Sequence, residues 1–167
     1  MNTAQQRGMV LLTSLIFLLL LSLLSLSSMR NASLQEKIAG SVKLRNESFQ
    51  LAEAALRIGE STLLHPDYAL ERCPGITTCA PPAEAVQLTT AGRHPTSGVT
   101  WVAVSGGFYG VQNFAQTLDP VNVMRQDEEP EPWTLYRITG IGIQGSSRTV
   151  LESVNVIGRR IMWRQIH

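Results

Sequence analysis

The sequence predicts an α+β fold: a long N-terminal helix, transmembrane in its first half and amphipathic in its second, packed on a small antiparallel β-sheet. Three observations carry this. An uncharged, leucine-rich run extends from Met9 to Met29, no proline occurs between Met9 and His65, and beyond His65 short β-prone stretches alternate with Pro, Gly and Thr. The chain has 167 residues, room for one ordinary domain beside a terminal segment. Its 14 basic and 13 acidic residues generate no global field that would select nucleic acid or an acidic substrate.

The Met9–Met29 run is broken only by Thr13, Ser14, Ser22, Ser25, Ser27 and Ser28. About 20 residues at ~1.5 Å rise cross a hydrocarbon core of roughly 30 Å, whereas the apolar part of a removable signal is usually about 7 to 15 residues long. Length therefore favours an anchor. The rival reading is a signal peptide cut after the run, for which Ser25-Leu26-Ser27 supplies small residues. Orientation is contested as well. Arg7 alone precedes the run while Arg30, Lys37, Lys43 and Arg45 follow it, which by the positive-inside rule places the C-terminus in the cytoplasm. Cys73 and Cys79 argue the other way, because they fit one small disulfide loop, CPGITTC, of the kind that persists in an oxidising compartment.

After the run, MRNASLQEKIAGSVKLRNESFQLAEAALRIGE is rich in helix formers, so the membrane helix is expected to continue to residue 64, with Gly40 its weakest point and His65-Pro66 its stop. At 100° per residue, Leu34, Ile38, Val42, Phe49, Ala52, Leu56 and Leu63 fall on one stripe, interrupted by Arg45. Leu44, Leu51 and Ile58 form a second at heptad spacing, with Ala55 beside it. Two readings stand for the second stripe: a contact with another subunit's helix, or a widening of one buried face.

Residues 65–167 form the expected β-rich domain. Strands are read at Val99–Val104, Trp133–Thr139 and Arg148–Gly158. The acidic stretch with Asp127, Glu128, Glu129 and Glu131 is read as a solvated loop, since no glycine-turned oxygen loop for calcium accompanies it. Gly140-Ile141-Gly142-Ile143-Gln144-Gly145 matches the dinucleotide pattern, but a second strand follows it where a helix should, so it is read as a hairpin turn. His65, His94 and His167 are isolated and the cysteines lack metal spacing. Ser105-Gly106-Gly107 lacks the flanks of a nucleophile elbow. The sequons at Asn31 and Asn46 fall within the expected helix. The end, GRRIMWRQIH, is read as a basic tail, with a partner patch of Arg159, Arg160 and Arg164 around Trp163 as the alternative. No catalytic residue, cofactor or metal site is assigned.

A short hydrophilic leader ending in glycine, an apolar helix and an amphipathic continuation into a small domain together resemble the type IV pilins. The stretch SMRNASLQEKIAGSVKLRNESFQLAEAALRIGE is similar to the N-terminal module of PilX-type minor pilins, and LYRITGIGIQGSSRTVLESVNV resembles their closing β-hairpin. The resemblance implies a leader at 1–8, cleavage after Gly8 by a prepilin peptidase, methylation of Met9, a transmembrane half at 9–29 and an amphipathic half at 30–64. It further implies a helix-assembly face including Thr13, Leu44, Leu51 and Ile58. Implied partners are other minor pilins, the major pilin, the inner-membrane assembly platform and a tip adhesin, with no nucleic acid. The C-terminal domain would be periplasmic before assembly and extracellular, at the pilus tip, afterwards. Most pilins carry phenylalanine where this chain has Met9 and glutamate where it has Thr13. The function so implied is initiation of pilus assembly, supporting adhesion and twitching motility. A type II secretion pseudopilin shares the leader and helix logic, and a secreted binding domain with an ordinary signal peptide is the alternative from another class.

Overall fold

The computed structural model describes residues 3–121, 132–156 and 158–167, with side chains from Met9 onward except those of Ser27 and Arg30. Helix α1 spans Thr3–Thr62. It contributes to both compact units of the chain, Met1–Val42 and Lys43–His167. In the first unit every described side chain is exposed, including Leu34, Ile38 and Val42 of the first stripe. The helix is long and apolar enough to cross a membrane, judged by length and composition. Past Thr62 the turns tighten, Leu63, Leu64 and His65 each bonding three residues back, and Pro66 forbids continuation.

The second unit is the C-terminal part of α1 on a six-stranded antiparallel meander: β1 (Gly92–Arg93), β2 (Thr100–Val104), β3 (Gly107–Thr117), β4 (Trp133–Gln144), β5 (Ser147–Val156) and β6 (Arg159–Gln165), in that spatial order. Short helix α2 (Ile76–Cys79) and a 3-10 turn (Ala83–Val86) lie in the connection before β1. Paired residues share a face, so the register divides the interior. On the helix face, Ala52 and Leu56 pack with Ile138 and Leu151, flanked by Phe49, Leu63, Val111 and Tyr136. On the opposite face, Trp101, Val99, Ile141 and Val150 pack with Ala85 and Leu88 of the long connection. The sheet is thus covered on both sides, which is why β4 and β5 lack a solvent-facing alternation.

Small residues set the depth at which α1 seats. A Cβ on Gly142 would lie 2.0 Å from the Ser48 carbonyl oxygen and 2.3 Å from the Ala52 nitrogen. One on Gly140 would lie 2.6 Å from the Ala52 carbonyl oxygen. Helix backbone therefore rests directly on strand backbone, and the Ser48 hydroxyl meets those of Ser147 and Thr149 at 3.0 and 2.9 Å.

Several expectations are corrected here. Within the GxGxxG pattern only Gly145, with φ of 56°, belongs to the β4–β5 turn; Gly140 and Gly142 lie inside β4 as the floor beneath the helix. In the second stripe Leu44 lies over Gly145 and Leu51 over Gly106, so both are half-buried against turns of their own sheet. Ile58 alone of the three stays exposed, at 44%. Strand β3 was not anticipated, because Gly110, Gln112, Asn113 and Gln116 dilute its β-prone residues. The basic tail is strand β6, paired with β5 from Leu151↔Gln165 to Val156↔Arg159. Two of its arginines pair with carboxylates, Arg160 with the half-buried Glu60 and Arg164 with the buried Glu152, and Trp163 packs edge-on against Phe49 with ring centroids 6.2 Å apart. The acidic stretch at Asp127, Glu128, Glu129 and Glu131 lies outside the described residues.

Gly142→Ala should destabilise the domain by about 1–3 kcal/mol, since its methyl has only backbone to displace. Gly40→Ala, whose methyl meets nothing within 4 Å, should not lower the midpoint. Denaturant unfolding of the detergent-solubilised protein, followed by tryptophan fluorescence, measures both. Equal midpoints for wild type and Gly142→Ala would contradict the seating described.

Candidate functional site

The chemistry-bearing residues gather in three places. The first is the start of α1. Gly8 and Met9 lie within the helix, and Thr13 donates its hydroxyl to the carbonyls of Met9 (3.1 Å) and Val10 (3.0 Å). Ser14 and Ser25 bond back in the same way to Leu11 and Leu21. Each hydroxyl is satisfied within its own helix, which removes the cost of placing it in hydrocarbon. Thr13 stays neutral there, whereas a carboxylate would require a cationic partner.

The second place is the disulfide loop. Cys73 and Cys79 are bonded, with Cα atoms 5.4 Å apart. Thr78 and Gly75 exchange hydrogen bonds across the loop, and the Cys79 amide donates to the Gly75 carbonyl at 2.8 Å. β3 and β4 hold the loop from beneath: Gln112 Nε2 donates to the carbonyls of Thr78 (2.8 Å) and Ala80 (3.2 Å), and Arg137 Nη1 to that of Cys79 (2.6 Å). Ile76 at the tip is 93% exposed.

Buried charge makes the third. Glu152 is fully buried and faces Arg137 at 3.2 Å and Arg164 at 2.8 Å. The Arg137–Glu152 contact is an ion pair without hydrogen-bond alignment, whereas Arg164 Nε donates to Glu152 Oε1 at 2.9 Å. Burial draws Arg137 below the ordinary arginine value, against the opposing pull of Glu152, and its guanidinium also lies 4.3 Å from the Phe114 ring centre. On the helix face Glu60 accepts from Ser153 (2.6 Å), Asn155 (3.3 Å) and both Nε and Nη2 of Arg160 (2.8 Å each). Burial pushes the Glu60 carboxyl up, but the hydrogen bonds from Arg160, Ser153 and Asn155, with the charge of Arg160, outweigh it and hold the group below its usual value. Sequence reasoning missed Glu60, Arg137 and Glu152. A carboxylate or guanidinium inside a β-prone or helical run was the available signal.

Among the described residues no group of three or more His, Cys, Asp or Glu is placed to hold a metal ion. His94 lies 3.5 Å from Glu84, which itself accepts from Ser97 and Trp101. The Ser105-Gly106 pair forms the β2–β3 turn.

A helix whose C-terminal part is seated on an antiparallel sheet, with a disulfide-closed loop, defines an α+β protein, and its helix is long and apolar enough to cross a membrane. Residues 7–57, within the long helix, match the family model of the PilX N-terminal region, so this segment is similar to the N-terminal region of PilX-type proteins. No curated protein and no solved structure matches the chain.

A depressed carboxyl in the fold implies stability that is fully present above the unfolded value of about 4.3 and is lost as pH falls through the lower folded value. Glu60→Gln should therefore lower the melting temperature at neutral pH, with the gap to wild type narrowing as pH drops below about 4. Thermal melts across that range test this; a gap of constant size would contradict it.

Proposed function

We propose that the protein is a minor pilin that takes part in initiating type IV pilus assembly and sits at or near the pilus tip, supporting pilus-dependent adhesion and twitching motility. A prepilin peptidase cuts between Gly8 and Met9 and methylates Met9, and the apolar run is kept. Before assembly the protein is anchored in the bacterial inner membrane with its C-terminal domain in the periplasm; afterwards it is extracellular. Its partners are other minor pilins, the major pilin, the inner-membrane assembly platform and a tip adhesin. Thr13, Leu44, Leu51 and Ile58 belong to the helix-assembly face, of which Ile58 is exposed while Leu44 and Leu51 are half-buried and also touch turns of their own sheet.

Thr13 carries the reading. A subunit joining beneath an existing tip must present an acid to the amine of the subunit before it, because charge in hydrocarbon needs a partner. Thr13 has none to present, its hydroxyl being bonded to Met9 and Val10. Such a subunit is suited to come first, where no earlier amine awaits neutralisation.

Tagged protein should appear in few copies at filament ends, and a strain lacking the protein and every close relative should lose pili. Labelling along the shaft at major-pilin abundance, or normal piliation in that strain, would overturn the proposal. At the residue level, Ile58→Glu should impair piliation with the domain's melting temperature unchanged. Leu51→Glu should lower that temperature itself, because it places a charge over the Gly106 turn.

A further inference from the structure

Between the segment that enters the disulfide loop and the turn joining β1 to β2 lies a cavity of about 600 Å³, a volume typical of small-molecule sites. No residue of α1 lines it. Its floor is β3 at Val111, Gln112 and Asn113. One wall is pinned to that strand: Asn113 Nδ2 donates to the Leu70 carbonyl at 2.8 Å, the Cys73 amide donates to the Asn113 carbonyl at 2.9 Å, and Arg72 forms a bridge with Asn113. The other wall is the β1–β2 turn, where the His94 amide donates to the Val99 carbonyl at 2.8 Å and the Gly98 amide to the His94 carbonyl at 2.9 Å. Main-chain bonds thus set both walls in advance, which lowers the cost of filling the space between them.

Many polar side chains of the lining are already committed. Ser97 donates to Glu84, Thr78 donates to the Gly75 carbonyl, and Gln112 holds the carbonyls of Thr78 and Ala80. The cations of the lining are not. Arg72 and Arg93 pair with no carboxylate among the described residues, whereas Arg137, Arg160 and Arg164 each do. Arg93 lies over the turn, with Nη2 3.8 Å from where a Cβ on Gly98 would sit. The exposed side chains of Glu71, Thr96 and Thr100 also line the cavity. Asn113 is 8% exposed, and its Oδ1 is buried without a hydrogen-bond partner among the described residues.

These groups select the occupant. Two forked guanidinium donors suit an oxyanion, while a carboxylate and an unpaired amide oxygen call for hydroxyl donors and disfavour a bare polyanion. An acidic sugar carries the oxyanion and the hydroxyls on one small molecule.

We propose that this cavity binds an acidic saccharide, its carboxylate held by Arg72 and Arg93 and its hydroxyls by Glu71, Thr96 and Thr100. The inference stands apart from tip location and from pilus initiation. It is tested by calorimetric titration of the full-length protein in detergent micelles with digalacturonate, with the neutral disaccharide galactobiose and with inorganic phosphate. Digalacturonate should bind saturably, and the other two at least tenfold more weakly. Arg72→Gln and Arg93→Gln should each weaken digalacturonate by roughly tenfold, as loss of one charged hydrogen bond does. Arg159→Gln, which removes an exposed arginine outside the cavity, should leave binding unchanged. Independently of any variant, bound digalacturonate should shift the Nε–H resonances of Arg72 and Arg93 in the wild type. Absence of saturable binding, equal affinity for galactobiose, shifts confined to other arginines, or full binding by folded Arg72→Gln and Arg93→Gln proteins would overturn the proposal. So would phosphate binding as tightly as digalacturonate, which would mark an adventitious ion only.

Discussion

The fold of the domain depends on one close approach, the backbone of α1 lying on the backbone of β4 at Gly140 and Gly142. Absence of side chains at these two positions lets Ser48 and Ala52 come down to the strand, and that depth carries the neighbouring contacts with it. Leu56 and Ala52 reach Ile138 and Leu151, and the Ser48 hydroxyl reaches Thr149. Leu44 and Leu51 reach the turns at Gly145 and Gly106. Raising the helix by the thickness of a methyl group would open a gap along the whole interface, and apolar interiors lose stability quickly when contacts are separated by even a fraction of an ångström.

Polar locks then fix what the apolar seat leaves free. Glu60 near the end of α1 gathers Ser153, Asn155 and Arg160, so the helix end is tied to β5 and β6 together. On the other face Glu152 gathers Arg137 and Arg164, and Arg137 also holds the Cys79 carbonyl. One buried carboxylate thereby links the edge strand to the strand that carries the disulfide loop. Of these pairs only Arg137–Glu152 is buried at both ends, so breaking it by removing a partner is costly, about 3–5 kcal/mol, whereas solvent screens the pairs made by Arg160 and Arg164. They hold the C-terminal strand in register on the domain.

The helix, its stop before Pro66, the cysteine loop and the β4–β5 hairpin were legible in the sequence because each rests on a local signal: apolar period, proline, spacing and a glycine turn. What was not legible depends on distant partners. Leu44 and Leu51 have helical positions consistent with an outward face, and only the structure shows that each also touches a turn of its own sheet, at Gly145 and Gly106. β6 reads as a basic tail because arginines dominate it, and its order comes from Glu60 and Glu152, which lie far away in the chain. Gly140 and Gly142 resemble a ligand loop in pattern, yet their purpose is set by a helix some ninety residues earlier. Near the N-terminus the hydrogen bonding of Thr13 was the most legible, since a hydroxyl in an apolar helix has its own backbone as the nearest partner.

Everything proposed about assembly rests on the apolar run being retained as the first half of a continuous helix rather than discarded. The intact mass of protein extracted from the membrane of its native host decides this directly. The account predicts a chain beginning at Met9 with one added methyl group on its amine. A chain beginning near Ser28, or one still carrying residues 1–8, would contradict it.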